Sequence, residues 1–248
     1  MNKYEITKRI EDFAPPETQE DWDCSGWAVN VEGYDEINKI MLCLTVTNNV
    51  VRQAREENCD MIVSHHPCFY VPLDWSFVNI YCAHTNMDKA QGGTTDTLIE
   101  SLYKNGLPRA KALAMTNCCH CEPGESIQNF VRIISLVNPI LISDFSKIIK
   151  QISPNARLIN NNKVTMLNKI AFCAGSGSDF INYAIELGAD CLVTGDLKFH
   201  TALESSIVIY DIGHFESEIL ILPVFENIIG NNNVKIVYAD EHSPFNLI

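Results

Sequence analysis

Three short segments carry side chains that commonly ligate metal ions, and each follows an apolar, strand-like run. The candidate ligands are His65, His66, Asp88, His214 and Glu218, with His84 beside them. A set that mixes neutral imidazoles and carboxylates suits Zn, Fe, Mn or Co better than Ca or Mg. The pattern therefore predicts a site for such divalent ions.

The adjacent histidines His65 and His66 stand at the end of the run Met-Ile-Val-Ser and precede Pro67. Neighbouring side chains on an extended strand point to opposite faces, and Pro67 favours an extended His66. We therefore expect each histidine to serve a different ion, one on either side of the strand tip. The alternative is a pair of hydrogen-bonded histidines in a loop.

The other two pairs are each four residues apart, so a helical turn would place both members on one face. Asp88 is expected to bridge or cap a metal, and His84 to be a ligand or a supporting partner. Alternatively, Asp88 caps a helix that begins near Gly93. For His214 and Glu218 the alternative is a solvated pair on a surface helix.

Two further segments are weaker candidates for a substrate site. The first, residues 175–179, follows a strand and opens a helix, so its backbone amides could hold an anion. It lacks the third glycine of a dinucleotide fingerprint, because Phe180 stands there. The second, residues 194–200, brings an acid, a base and an imidazole to another strand tip, namely Asp196, Lys198 and His200. The residues are Gly175, Ser176, Gly177 and Lys198 for substrate binding, and Asp196 and His200, together with His84, for proton transfer. The alternative for His200 is a structural role.

The elements that must position these residues alternate between strands and helices, which predicts an α/β fold with sheets covered by helices. Strands are expected at 40–46, 61–63, 78–83, 170–174, 191–193, 207–210 and 234–238, and helices around 50–54, 98–103 and 145–152. Residues 54–64 resemble residues 184–194, which predicts a duplicated helix–strand unit unless the match is a coincidence. A loop signal at 121–126 places the boundary between two halves near residue 122, giving 1–122 and 123–248.

The composition excludes several classes of protein. A net charge of −13 over 248 residues argues against a nucleic-acid surface, although it permits one small anionic ligand. The charged N-terminus lacks a signal-peptide core, and no apolar run reaches membrane-spanning length. The ten cysteines include one CxxC spacing, Cys118 with Cys121, and no second one to pair with it, so reduced buried thiols in the cytoplasm are expected. The contiguous segment 118–121, Cys-Cys-His-Cys, is expected to be an unconstrained loop, since four adjacent ligands rarely wrap one zinc ion.

These motifs together resemble the Nif-three-like dinuclear-metal proteins, the GTP cyclohydrolase type 2 homologues of many bacteria. The matching segments lie at 21–26, 64–67, 84–88 with 92–93, 175–178, 194–200 and 213–218, in family order. The resemblance implies a dinuclear site ligated by His65, His66, Asp88, His214 and Glu218. It also implies two related α/β halves without the inserted domain of longer relatives, assembled as a homohexamer.

The chain departs from that family pattern at two positions, Cys24 in place of Asn and Thr45 in place of Asp. The resemblance implies a metal-dependent hydrolase that acts on a nucleotide or similar heterocycle. A non-enzymatic metal-binding or partner-docking assembly is the alternative, because a fold carries less information about function than a site does.

Overall fold

The computed structural model describes residues 1–115, 130–230 and 234–245, which form two compact units. Unit 1 comprises Met1–Gly93 and Ile221–Pro244, and unit 2 comprises Thr94–Leu220 with Phe245. The expected boundary near residue 122 and the Cys-rich segment 118–121 both lie outside the described residues, so they stay predictions.

Unit 1 is a five-stranded sheet with helices on its faces. Its helices are α1 (Lys3–Phe13), α2 (Asn48–Glu56), α3 (Thr85–Lys89) and α9 (Leu222–Ile229). Its strands are β1 (Gly26–Val29), β2 (Lys39–Cys43), β3 (Met61–Ser64), β4 (Asn79–Cys82) and β11 (Lys235–Tyr238). The strand order is β1-β4-β3-β2-β11, with β1 antiparallel and the others parallel. Every residue of β3 and β4 is buried, as expected for parallel strands covered on both faces.

Unit 2 is built around a six-stranded mixed sheet. Its helices are α4 (Thr94–Lys104), α5 (Ile142–Ile152), α6 (Ile181–Glu186), α7 (Phe199–Glu204) and α8 (His214–Glu218). Its strands are β5 (Ala110–Met115), β6 (Arg132–Leu141), β7 (Arg157–Ile159), β8 (Met166–Ser176), β9 (Cys191–Gly195) and β10 (Val208–Asp211). The order is β5-β6-β8-β9-β10-β7, in which β8–β9 and β9–β10 pair in parallel and the other neighbours pair antiparallel.

The helices form where apolar residues recur at helical spacing. On α2, Val50, Val51 and Ala54 are buried in one cluster with the inner residues of β2, β3 and β4. The Thr47 side chain accepts a hydrogen bond from the Val50 amide and so caps the helix. On α5, Phe145 is fully buried in the core of unit 2. Burying each such side chain stabilises the fold by about 1.5–3 kcal/mol.

The two units contain the same arrangement of a helix, a loop with an aspartate and a buried strand. This confirms the expectation of two related α/β parts. An aspartate after each helix, Asp60 in unit 1 and Asp190 in unit 2, accepts two backbone amides through Oδ2. The donors are Asn38 (2.7 Å) and Lys39 (3.0 Å) for Asp60, and Asn168 and Lys169 (2.8 Å each) for Asp190. The register repeats as well, because β2 pairs with β3 as β8 pairs with β9. The sequence match between 54–64 and 184–194 is therefore not a coincidence.

The seven expected strands and three expected helical regions are all present, with ends shifted by a few residues. Four strands were not expected, namely β1, β5, β6 and β7. Across the described parts of the chain, no helix has the length and apolar character needed to cross a membrane. None of the seven described cysteines is in a disulfide, and five of them are buried, namely Cys43, Cys59, Cys82, Cys173 and Cys191.

Candidate metal centre

His65 and His66 follow β3 directly, and their imidazoles lie on the same side of the chain. Their ring centroids are 5.2 Å apart, and together with His84 they form a group whose ligand atoms all lie within 4.8 Å of one another. This corrects the expectation that the two side chains diverge. The strand ends at Ser64, so the alternation of faces along a strand does not extend to the histidines.

The fully buried His65 is oriented by the backbone of the neighbouring strand. Its Nδ1 donates to the carbonyl of Ala83, 3.0 Å away. Because a carbonyl oxygen only accepts, this bond fixes the proton of the neutral ring on Nδ1 and leaves the lone pair on Nε2. The Nε2 atom lies 3.4 Å from Oδ1 of Asp88. His65 thus presents a ligand atom next to a carboxylate.

Asp88 reaches this position from the short helix α3. Its amide donates to the carbonyl of His84 at 3.0 Å, which closes the helical turn expected for that pair. His84 itself stands at the N-terminal boundary of α3, and α4 begins separately at Thr94. Asp88 therefore lies one helical turn from His84 and beside the ligand atom of His65.

Asp23 holds His84 in place from the loop before β1. Its Oδ1 lies 3.0 Å from Nδ1 of His84, and its Oδ2 accepts from the amide and hydroxyl of Thr85 at 3.0 and 2.5 Å. Although burial raises the pKa of Asp23, the hydrogen bonds from His84 and Thr85 outweigh it and lower that pKa below its usual range. The carboxylate stays ionised and keeps the proton of His84 on Nδ1.

In unit 2, His214 and Glu218 share one face of α8, as the spacing predicted. Nε2 of His214 lies 2.9 Å from Oε2 of Glu218, and Nδ1 lies 2.7 Å from Oδ2 of Asp196. Burial lowers the pKa of His214, but the hydrogen bonds and charges of Glu218 and Asp196 outweigh it and raise the pKa to about 9. Without an ion, a proton therefore occupies the Nε2 position at neutral pH.

Gly175 and Gly195 leave the space into which His214 and Glu218 are packed. Gly175 has φ +67°, and a Cβ there would lie 2.2 Å from Oε1 of Glu218. A Cβ on Gly195 would lie 2.7 Å from the amide nitrogen of His214. Only the absence of side chains at these strand tips lets α8 approach the ends of β8 and β9.

The four histidines share one feature that fits a metal. Each engages Nδ1 in a hydrogen bond, with the partners Ala83 for His65, Thr45 for His66, Asp23 for His84 and Asp196 for His214. Histidine ligands of metal ions commonly use their second nitrogen in this way, which fixes the tautomer and the ring orientation. The three histidines of unit 1 therefore form a group that fits a divalent ion bound through Nε2, and unit 2 contributes the pair His214 and Glu218.

The other expected site residues are not gathered in this way. His200 and Lys198 are exposed at the start of α7, and the described contacts of the His200 ring are with Phe199. The amide of Gly175 donates to Ser217, and that of Gly177 donates to Thr194. Those two amides are already used inside the protein, while Ser176 is exposed. Their role in substrate binding stays a prediction.

Three supporting residues had no role in the expectations from sequence, namely Asp23, Thr45 and Ser217. Asp23 and Thr45 are distant in the chain from the histidines they contact, so no local spacing reveals them. Ser217 lies within the segment that carries His214 and Glu218, and its hydroxyl donates to the carbonyl of His214 at 2.7 Å.

Comparison with known proteins places the chain in a family. The curated relative from Clostridium perfringens, named GTP cyclohydrolase 1 type 2 homolog, is 31% identical and the match covers 100% of both chains. A relative of the same name from Clostridium acetobutylicum is 29% identical over 84% of this chain and 82% of its own.

Solved structures agree with this placement. The Bacillus cereus protein related to NIF3 has a TM-score of 0.81 at 19% identity and covers 100% of this chain and 99% of its own, which shows the fold. Reduced HcgD from Methanocaldococcus jannaschii has a TM-score of 0.76 at 25% identity, over 97% and 98% of the two chains. The model of the Duf34/NIF3 (NGG1p interacting factor 3) family matches residues 1–244, and the chain belongs to that family.

Proposed function

We propose that His65, His66, Asp88, His214 and Glu218 together hold two divalent ions, which are Zn, Fe, Mn or Co. The observation that carries this proposal is the engagement of every cluster histidine through Nδ1, which directs Nε2 toward an ion. The carboxylates of Asp88 and Glu218 supply negative charge beside these nitrogens. Such mixed ligands favour transition metals over Ca or Mg.

We further propose that the protein is a metal-dependent hydrolase acting on a nucleotide or a related heterocycle. Support comes from the curated relatives named GTP cyclohydrolase 1 type 2 homolog. Two bound divalent ions would supply a water of lowered pKa and would polarise the bond under attack. Lys198 is an exposed positive charge on the segment that also carries Asp196, and it suits an anionic group of the substrate.

The side chains around the ligands have separate roles in this proposal. Asp23 fixes His84, which lies against both His65 and His66 with ring centroids 5.3 and 5.7 Å away. His84 is thereby placed to accept or return a proton near those two ligands. Asp196 holds the ring of His214 and keeps the proton on Nδ1. His200 is an exposed imidazole that would act on substrate only if α7 contacts it.

The test begins with elemental analysis of the purified protein. We expect two divalent ions per chain in the wild type and fewer in Asp88→Ala and His214→Ala. The metal-loaded protein is then incubated with GTP and other nucleotides, and products are separated by chromatography. Metal without any product would overturn the hydrolase and favour a binding assembly. A wild type that binds no divalent ion would overturn the metal centre itself.

We also propose a homohexamer in the reducing cytoplasm. The resemblance to the family supports the hexamer, and the free thiols support the compartment. Light scattering coupled to size exclusion measures the molar mass in solution. A mass six times that of the chain is expected, and a monomer would overturn the assembly.

A further inference from the structure

The segment that follows β11 lies along the end of β2 in unit 1. The amide of Ala239 continues the sheet by donating to the carbonyl of Leu42 at 2.9 Å. Next to it, the side-chain amide of Gln53 makes two bonds with the backbone of Asp240, at 2.7 and 3.1 Å. These contacts fix the path of the chain up to Glu241.

Glu241 then places its carboxylate over the backbone that leaves β2. Oε2 accepts from the amide of Leu44 at 2.7 Å, and Oε1 accepts from the amide of Thr45 at 3.0 Å. Hydrogen bonds from backbone amides to an ionised carboxylate are among the stronger ones in proteins. Glu241 therefore fixes the position and direction of Thr45.

Thr45 in turn contacts the side chain of His66. Its hydroxyl oxygen lies 2.6 Å from Nδ1 of His66. By contrast, His65, His84 and His214 each donate to a carbonyl or a carboxylate, groups that only accept. A hydroxyl accepts or donates, so the direction of this hydrogen bond decides which nitrogen of neutral His66 carries the proton.

We propose that Thr45 and Glu241 are positioning residues for His66, and this inference rests on the proposed metal centre. Glu241 anchors Thr45 through its amide, and Thr45 accepts the Nδ1 proton of His66, so that Nε2 carries the lone pair. The segment after β11 thereby sets the ligand state of a histidine that follows β3. A purely structural role, in which Glu241 only caps the end of β2, would leave the tautomer of His66 unchanged.

The first experiment measures that tautomer in metal-free, full-length protein by long-range ¹H–¹⁵N correlation of the histidine rings above pH 8. The wild type is expected to show His66 protonated on Nδ1. Thr45→Val, which keeps the shape and removes the hydroxyl, is expected to show a mixture of the two tautomers. Thr45→Ser, which keeps the hydroxyl, is expected to restore the wild-type pattern. A His66 protonated on Nε2 in the wild type would overturn the proposal, whether or not the variants fold.

The second experiment titrates Co²⁺ into the metal-free proteins and follows the visible absorption of the bound ion. Loss of a residue that orients a ligand histidine commonly weakens metal binding by about 10–100-fold. We expect a loss of that size in Thr45→Val and in Glu241→Ala, and near wild-type affinity in Thr45→Ser. The double variant should bind no more weakly than Thr45→Val, because Glu241 acts through Thr45. If the two losses of Co²⁺ affinity multiply in the double variant, Thr45 and Glu241 act independently, and the proposal that Glu241 acts through Thr45 is overturned.

The matched control is Asp240→Asn, since Asp240 contacts Gln53 through its backbone, and among the described residues its exposed carboxylate lies only near the exposed His242. It should leave both the tautomer and the Co²⁺ affinity unchanged. Failure of the wild type to bind Co²⁺ would count against the proposed metal centre. The tautomer measurement needs no metal, so it decides this inference separately.

Discussion

His214 donates its Nδ1 proton to Asp196 over 2.7 Å, and its second ring nitrogen lies 2.9 Å from Glu218. One imidazole thus stands between two carboxylates. Asp196 adopts φ +54°, a left-handed conformation that is uncommon for a residue other than glycine. Such conformations persist where the surrounding structure enforces them, and they occur often at functional sites.

Binding of a metal to this cluster is predicted to release a proton. Glu218 and Asp196 raise the pKa of His214 to about 9, above its ordinary value of 6.5, so the metal-free ring is charged at pH 7.5. An ion bound at Nε2 must displace about one proton per chain. Calorimetric titration with Zn²⁺ in buffers of different ionisation enthalpy measures this number. Asp196→Asn should lower it, and an unchanged value in that variant would contradict the assignment.

The same shift predicts how the stability of the metal-free protein depends on pH. The folded-state pKa of His214 lies above the unfolded value, so the stabilisation is fully present below about pH 6.5 and is lost as the pH rises through 9. Urea unfolding at pH 6, 7.5 and 9.5 in the presence of a chelator measures the effect. The control is His214→Gln, which should show a smaller decrease over this interval.

Gly175→Ala is predicted to disturb Glu218. The new Cβ would lie 2.2 Å from Oε1 of that residue, and φ +67° adds the cost of a left-handed alanine, about 1–2 kcal/mol. Gly188→Ala is the control, because φ is +74° there and the nearest atom, Nζ of Lys169, is 3.7 Å away. We expect urea unfolding to show a larger loss for Gly175→Ala and elemental analysis to show less metal in that variant only. Equal losses would mean that the contact with Glu218 is unimportant.

Asp23→Asn is predicted to destabilise unit 1 and to release His84. The carboxylate accepts from the backbone of Thr85 and the ring of His84, and hydrogen bonds to a charged group contribute about 1.5–3 kcal/mol each. Urea unfolding should therefore show a loss of about 2 kcal/mol or more. Asp21→Asn, at an exposed neighbouring position, is the control and should change stability little. Wild-type stability in Asp23→Asn would show that this network is unimportant.

The related halves make a matched prediction possible. Asp60→Ala and Asp190→Ala remove equivalent acceptors of two backbone amides, so both should lower stability by a similar amount, about 1–3 kcal/mol. Hydrogen exchange of the amides of Lys39 and Lys169 reports each unit separately. Exchange should rise at Lys39 in the first variant and at Lys169 in the second. A variant that raises neither would show that its aspartate does not hold the strand.

The sequence pattern predicted every strand that has a parallel neighbour and missed the four whose described pairs are all antiparallel. The parallel strands read as continuous apolar runs, so β3 and β9 were expected close to their actual limits. By contrast, β1 is half-buried throughout, and β6 contains an exposed stretch with Pro139. The three residues of β7 are too few to give a pattern. The apolar run of β6 is interrupted by Ser135, and those of β1 and β7 are three residues or fewer.

The same distinction applies to the site. Spacing four residues apart predicted the joint placement of His214 and Glu218, because one helical turn decides it. The approach of His65 to His66 and the role of Asp23 depend on where β3 ends and on contacts between distant loops. Such contacts follow from the tertiary fold and leave no local pattern.

Unit 1 is assembled from one chain segment that precedes Thr94–Leu220 of unit 2 in the sequence and one that follows it. The two segments are therefore synthesised at different times. Strand β11 is the neighbour of β2 in its sheet, yet it is translated after the whole of unit 2. A nascent chain can therefore fold unit 2 on the ribosome while the earlier unit still exposes one edge of its sheet. An exposed edge is a site for unwanted strand pairing, so that risk is greatest in the interval before β11 emerges.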